Sequence, residues 1–151
     1  DLSGRNVVVT GSTSGIGRAV TEALVDRGAS VIVGVRDHSR GVALQSQVAA
    51  LGSSSGGGIA VVLPLDLSDP ISVDAFVKEV RRHVRASGIH IIINAAAEIN
   101  CELKKAPSGI DMTFAASHVG PQQLLEALTP EVTSAASEDR HARIVMVGSR
   151  L

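Results

Sequence analysis

Apolar and polar positions along the chain follow two rhythms. Short, nearly continuous apolar runs occur at 5–10 (RNVVVT), 30–35 (SVIVGV), 59–65 (IAVVLPL), 89–94 (IHIIIN) and 143–147 (RIVMV). Runs of this length and β-branched content predict strands, and their lack of alternation predicts burial on both faces. Between them, apolar residues recur at helical spacing. Ile16, Ala19, Val20, Ala23 and Leu24 predict the inward face of a helix closed by Gly28. Val42, Leu44, Val48 and Leu51 predict a second helix over 40–51, followed by a loop at SSSGGG, 53–58. Val73, Phe76, Val77 and Val80 predict a third over 70–86, with Ser68 as its cap and Pro70 in the tolerated first turn. Residues 109–128 predict a partly helical stretch that Pro121 kinks or interrupts. Strands alternating with helices give βαβ units, and right-handed crossovers then give a doubly wound, Rossmann-type parallel sheet. The expected architecture is α/β, in three α/β/α layers with about five strands. Residues 1–151 carry no internal repeat or linker and read as one domain.

Composition sharpens this picture. Hydrophobic residues make up 44% of the chain, enough for a packed core. The aromatics are Phe76 and Phe114 alone, so that core must be aliphatic, and without tyrosine the chain has no phenol for chemistry. Fourteen basic residues oppose fifteen acidic ones for a net charge of −1. That balance disfavours nucleic-acid binding through a basic face. The single cysteine, Cys101, excludes an internal disulfide and a multi-cysteine metal site, and fits a reducing, intracellular setting. The five histidines lack metal-ligand spacing and read as surface or helix residues, so no metal is expected. No apolar run approaches the roughly 20 residues that span a bilayer.

The most informative stretch is Thr10-Gly11-Ser12-Thr13-Ser14-Gly15-Ile16-Gly17, between the first strand and the first helix. Gly11 permits a sharp turn, Gly15 lets backbone approach a pyrophosphate, and Gly17 lets the helix pack closely on the sheet. The helix N-terminus offers unpaired N–H groups and a positive dipole end to phosphate. The alternative is a glycine-rich turn with no ligand; the strand–turn–helix context favours the binding role.

The TGxxxGxG spacing resembles that of the short-chain dehydrogenase/reductase family, and the chain is most similar to its retinol-dehydrogenase-like members. Val35-Arg36-Asp37 with Arg40-Gly41 resembles the segment after the family's second strand. Asp66-Leu67-Ser68 resembles the segment that contacts adenine, and Asn94-Ala95-Ala96-Ala97 stands where the family has Asn-Asn-Ala-Gly. Residues 110–120 (IDMTFAASHVG) track the helix that follows. The resemblance covers the N-terminal part of such an enzyme, so the domain is expected to be incomplete at its C-terminus.

The resemblance implies a nicotinamide dinucleotide held by Gly11, Ser12, Ser14, Gly15, Ile16, Gly17, Arg36, Asp66, Leu67, Asn94, Ala95 and Ala96. An acid at the end of the second strand holds the ribose hydroxyls of NAD, whereas an arginine accommodates the 2′-phosphate of NADP. Val35 takes the acid's place and Arg36 follows, which favours NADP(H); Arg40 is a possible second phosphate contact. The alternative is that Arg36 is solvated and Asp37 serves the ribose of NAD. Asp66 has a second reading as a turn cap.

The implied reaction is hydride transfer between the nicotinamide and a small-molecule carbonyl or alcohol, with a Tyr-x-x-x-Lys pair moving the proton. Ser149 matches the family serine that orients the substrate oxygen, or is a serine in a strand-end turn. Ser117 stands where the family has a helix asparagine, and a hydroxyl is shorter than an amide. Ala97 and Ala95 also depart from the pattern. Glu98 and Glu102 flank the mouth of the site without a paired-acid motif. Two readings follow: an NADP-dependent oxidoreductase whose Tyr and Lys lie beyond residue 151, or a non-catalytic relative that binds nucleotide or serves an assembly. The last strand would form an open sheet edge, which invites pairing with another protein chain.

Overall fold

The computed structural model describes residues 1–55, 57–100, 102–136 and 141–149, with the backbone alone described at 51–55. Cys101 and Gly56 lie outside the described residues. The strands are β1 (Asn6–Thr10), β2 (Ser30–Val35), β3 (Ile59–Pro64), β4 (Ile91–Asn94) and β5 (Arg143–Met146). All neighbours are parallel, in the order β3-β2-β1-β4-β5. The helices are α1 (Gly15–Asp26), α2 (His38–Ser55), α3 (Pro70–Val84), the single turn α4 (Met112–Phe114) and α5 (Gly120–Ala135). This is the expected Rossmann-type doubly wound fold.

Alternation along β1 divides the interior into two cores. Val8 points to one face, where it joins Ile32, Ile92, Phe76 and Val80 of α3, and Leu124 and Leu128 of α5. Val7 and Val9 point to the other, with Val31, Val33, Val25 of α1, and Leu44 and Val48 of α2. Successive strand residues face opposite sides, so a run such as VVV is apolar throughout only when helices cover both. Phe76, 1% exposed, is the largest fully buried side chain and fills the space between α3 and the sheet.

Several expectations shift by a residue or a helix face. On α1 the buried positions are Gly17, Thr21 and Val25, while Ile16 is 61% exposed. Val20 and Leu24 pack at the flank of the core, and Ala19 and Ala23 are exposed. On α2 the sheet-facing positions are Gly41, Leu44 and Val48, and Val42 points outward. That helix begins earlier than expected, because the Asp37 carboxylate accepts hydrogen bonds from the Ser39 and Arg40 amides, and it runs through 53–55, where a loop was expected. The cap of α3 is Asp69, accepting from the Ile71 amide at 3.0 Å, while Ser68 is held by Asp66.

His90 departs from the surface reading. It is 4% exposed, and its Nδ1 accepts a hydrogen bond from the Asn6 amide at the entry of β1. Pro121 causes no break. The chain passes from α4 into α5 through a π-helical turn, Ala115–Val119, and Pro121 falls in the first turn of α5. There a missing N–H costs least, and the wider i→i+5 ladder takes up the change of register. β5 forms one border of the sheet, with Ile144, Val145, Met146 and Val147 each at least 38% exposed. Among the described residues, no helix is long and apolar enough to cross a membrane.

Phe76→Ala removes the main contact between α3 and the sheet. It should lower the unfolding free energy by about 3–5 kcal/mol, read as a lower denaturant midpoint with an unchanged m-value.

Candidate dinucleotide site

β1 continues to β2 and β3 on one side, while β4 and β5 lie on the other. In an open α/β sheet, ligands bind outside the carboxyl ends of the strands where the order reverses, here beside β1. A groove of about 530 Å³ occupies that place. Its floor is Thr10, Gly11 and residues 13–17. One wall carries Gly34, Val35, Arg36 and Arg40 with Leu65, Asp66 and Leu67; the other carries Ala95, Ala96, Ala97, Glu98 and Ala116.

The floor depends on two missing side chains. Gly11 has φ +71°, and a Cβ there would lie 2.7 Å from the Ala96 nitrogen. A Cβ on Gly17 would lie 2.3 Å from the Gly11 carbonyl oxygen. α1 therefore starts directly against the turn that leaves β1. Ser14 is the N-cap residue of α1 and makes no side-chain capping bond. By helix geometry the amides of the first turn lack internal acceptors, so they are available to an anion.

Most of the expected residues come together here. Gly11, Ser14, Gly15, Ile16, Gly17, Arg36, Asp66, Leu67, Ala95 and Ala96 line the groove. Ser12 and Asn94 stand behind it. The buried Ser12 hydroxyl donates to the Val9 carbonyl at 3.2 Å. Asn94 accepts from the Thr10 hydroxyl at 2.7 Å, and that hydroxyl accepts from the Ala96 amide. Thr10 thus ties the end of β1 to the end of β4. Neither Ser117 nor Ser149 lines the groove. Ser149 follows β5 on the exposed side. The Ser117 hydroxyl accepts from the Glu98 amide and donates to the Glu98 carbonyl, both at 3.0 Å.

Sequence reasoning missed Thr13, Gly34, Leu65 and Ala116 as lining residues. Gly34 carried a signal, since a glycine inside an apolar strand marks a close approach. It receives the Leu65 side chain, whose Cδ2 would sit 2.4 Å from a Cβ at that position. Asp66 meets the turn-capping expectation from a place in the groove wall: its carboxylate accepts from the Ser68 amide and hydroxyl.

The charged groups of the groove are already organised. Arg36 pairs with Glu98 of the opposite wall. The Asn100 amide group, and after it the Arg36 guanidinium, hold the Glu98 carboxyl below the usual range, while partial burial and the Asp66 charge push it up. The Arg36 side chain is 65% exposed, so the pair is worth at most about 1 kcal/mol and is readily exchanged. Asp37 is turned away from the groove to cap α2. The Ser39 hydroxyl, then the Arg40 amide, lower its carboxyl below the ordinary value. Among the described residues, no cluster of His, Cys, Asp and Glu is placed to hold a metal ion.

Two outcomes follow. Gly→Ala in a helix ordinarily stabilises by about 1 kcal/mol; Gly17→Ala should instead lower Tm, because the added methyl drives α1 off the Gly11 carbonyl. For Asp37 the folded pKa lies below the unfolded one, so its contribution is complete above the unfolded value and is lost as pH falls through the folded value. Asp37→Asn keeps a capping oxygen and removes the charge. The stability difference between wild type and this variant should hold steady at neutral pH and close in acid, measured by denaturant titrations across pH.

The short chain dehydrogenase family model matches residues 5–151. Retinol dehydrogenase 14 of Mus musculus is 33% identical over 99% of this chain and 45% of its own length. Retinol dehydrogenase 11 of Homo sapiens is 32% identical over 98% of this chain and 44% of its own length. The chain thus spans less than half the length of these relatives. Among solved structures, a metagenomic short-chain oxidoreductase in complex with NADP superposes with a TM-score of 0.81, at 27% identity over 99% of this chain and 64% of that one. A short-chain dehydrogenase from Sphingobium yanoikuyae in complex with NADPH gives 0.76, at 26% identity over 96% of this chain and 54% of that one. With the groove, the glycine turn and the strand order all in agreement, the chain belongs to the short-chain dehydrogenase family.

Proposed function

We propose that this chain is the dinucleotide-binding portion of an NADP(H)-dependent oxidoreductase that interconverts a small-molecule carbonyl and an alcohol. The observation that carries this reading is the groove at the carboxyl end of β1, floored by Gly11 and Gly17 and bearing Arg36 at the end of β2. The groove fits the group. Gly11 and Gly17 leave no room for a Cβ, which brings the turn and the start of α1 together, and Gly15 faces open space where a ligand can approach backbone amides. We assign the pyrophosphate to the turn of Gly11, Ser14, Gly15, Ile16 and Gly17, and the adenine to Asp66 and Leu67. Ala95 and Ala96 line the path toward the nicotinamide, and Ser12 and Asn94 brace the turn and the wall from behind.

Three features support NADP(H) over NAD(H). Val35 offers no acid to the ribose, and Arg36 and Arg40 both face the groove. Asp37, which follows Arg36 in the chain, is committed to α2. Two superposed family members were solved with NADP or NADPH. The bound nicotinamide would supply or accept the hydride. Ser149 would orient the substrate oxygen. The proton-transfer tyrosine and lysine are assigned to the remainder of the whole protein, since this chain contains no tyrosine. The exposed border strand β5 would be covered by further polypeptide.

A second reading, a non-catalytic nucleotide-binding or structural subunit, is favoured by one observation. The Ser117 hydroxyl, where the family carries an asparagine, is engaged by the backbone of Glu98. Turnover by the whole protein separates the two readings.

NADPH at about 100 times its Kd should stabilise the chain by about 2.7 kcal/mol, read as a rise in Tm. Arg36→Ala should cut the NADPH shift and leave the smaller NADH shift in place. No shift with either dinucleotide at millimolar concentration would overturn the cofactor reading.

A further inference from the structure

We propose that Glu98 sets cofactor affinity and selectivity: in the free protein it holds Arg36 across the groove, and the 2′-phosphate of NADP(H) replaces it as the partner of the guanidinium. The proposal rests on the cofactor reading above and adds a residue to which that reading gives no role.

The geometry carries it. Arg36 follows β2 and Glu98 follows β4, and β1 lies between those strands. Adjacent strands are about 4.8 Å apart, so the pair reaches over the end of β1, the strand that carries the glycine turn. Glu98 is fixed on its wall. Its amide and carbonyl are bound by Ser117, and its carboxylate accepts from Asn100 at 3.1 Å. Arg36 is the long and more exposed partner. The groove offers a phosphate two cations, Arg36 and Arg40, and sets two anions, Asp66 and Glu98, against them. A fixed carboxylate on the wall of a groove for a polyphosphate weakens every anionic ligand, and it discriminates when ligands differ in the pairs they must break.

The two dinucleotides differ in what they require. Any dinucleotide meets the negative field of Glu98 at its pyrophosphate. Only NADP(H) brings a 2′-phosphate that claims the guanidinium, so only NADP(H) must break the pair to bind fully. Glu98 therefore weakens NADP(H) more than NAD(H) and narrows the preference that Arg36 creates.

The test titrates NADPH and NADH, by cofactor fluorescence, into wild type, Glu98→Gln, Arg36→Ala and the double variant. Glutamine keeps an oxygen for Asn100 and removes the charge. Glu98→Gln should tighten NADPH by about two- to fivefold and NADH by clearly less. On the Arg36→Ala background the NADPH gain should fall to the NADH gain, because the pair is already absent. Glu98→Leu, which removes charge and acceptor together, should show the same ordering and serves if the glutamine variant does not fold. NADPH affinity unchanged in the Glu98 variants, equal gains for both dinucleotides, or a full NADPH gain without Arg36 would each overturn the proposal while leaving the cofactor reading intact. Binding of neither dinucleotide by any of the four proteins would overturn the cofactor reading itself.

Discussion

The structure depends on the contact between Gly17 and the Gly11 carbonyl. With no side chain at either position, the first turn of α1 sits against the bend that leaves β1. That contact places a helix N-terminus at the sheet's reversal point, and it anchors the helix whose Val25 closes one of the two cores. A single methyl would separate the layers by more than a packed interior tolerates, because interiors at crystal-like density do not absorb such a shift locally. The groove and the core are in this sense one feature. Thr10 extends it sideways, tying the ends of β1 and β4 together through Asn94 and the Ala96 amide.

Around that frame the charges are placed economically. Acids at helix starts keep to local work: Asp37 caps α2 and Asp69 caps α3. Asp66 holds the turn between them and still faces the groove. With Asp37 committed to α2 and Asp66 to Ser68, the Arg36 guanidinium pairs with Glu98 on the other wall. Burial opposes the charge on Glu98, but Asn100 and Arg36 outweigh it. On the proposed reading, a polyanionic ligand meets Arg36 and Glu98 already paired, and binding becomes an exchange of partners. Differences between ligands then come from which pairs each must break, a sharper discriminator than total charge.

Much of the fold was legible in the chain. The five apolar runs became five parallel strands; β1, β2 and β4 are covered on both faces, as their lack of alternation requires, while the border strand β5 is exposed. The glycine turn was legible because its residues are consecutive and each has a steric reason. Ten of the twelve residues expected to bind cofactor do line the groove, and the other two, Ser12 and Asn94, brace it from behind. Helix faces were less legible. Ile16 and Val42 fit an apolar stripe on periodicity alone, yet Gly17, Thr21 and Gly41 are the buried positions beside them, while Leu44 and Val48 face inward as expected. Small residues go where backbones approach closely, and hydropathy does not register that demand. His90 was read as a surface residue for a similar reason: a polar side chain is buried when a specific amide, here that of Asn6, needs its acceptor.

The sequence by itself determined the α/β layering, the place of the glycine-rich turn and the aliphatic character of the core. These follow from local rhythm, glycine placement and composition, which act within a few residues of one another. Only the tertiary structure decided that Glu98 faces Arg36, that Ser117 holds the Glu98 backbone, that Asp37 turns from the groove to cap α2, and that a π-helical turn carries the chain to Pro121. Arg36 and Glu98 are 62 residues apart in the chain and meet because β2 and β4 flank β1. Their attraction depends on a separation that strand order creates, and no periodicity in the chain encodes it.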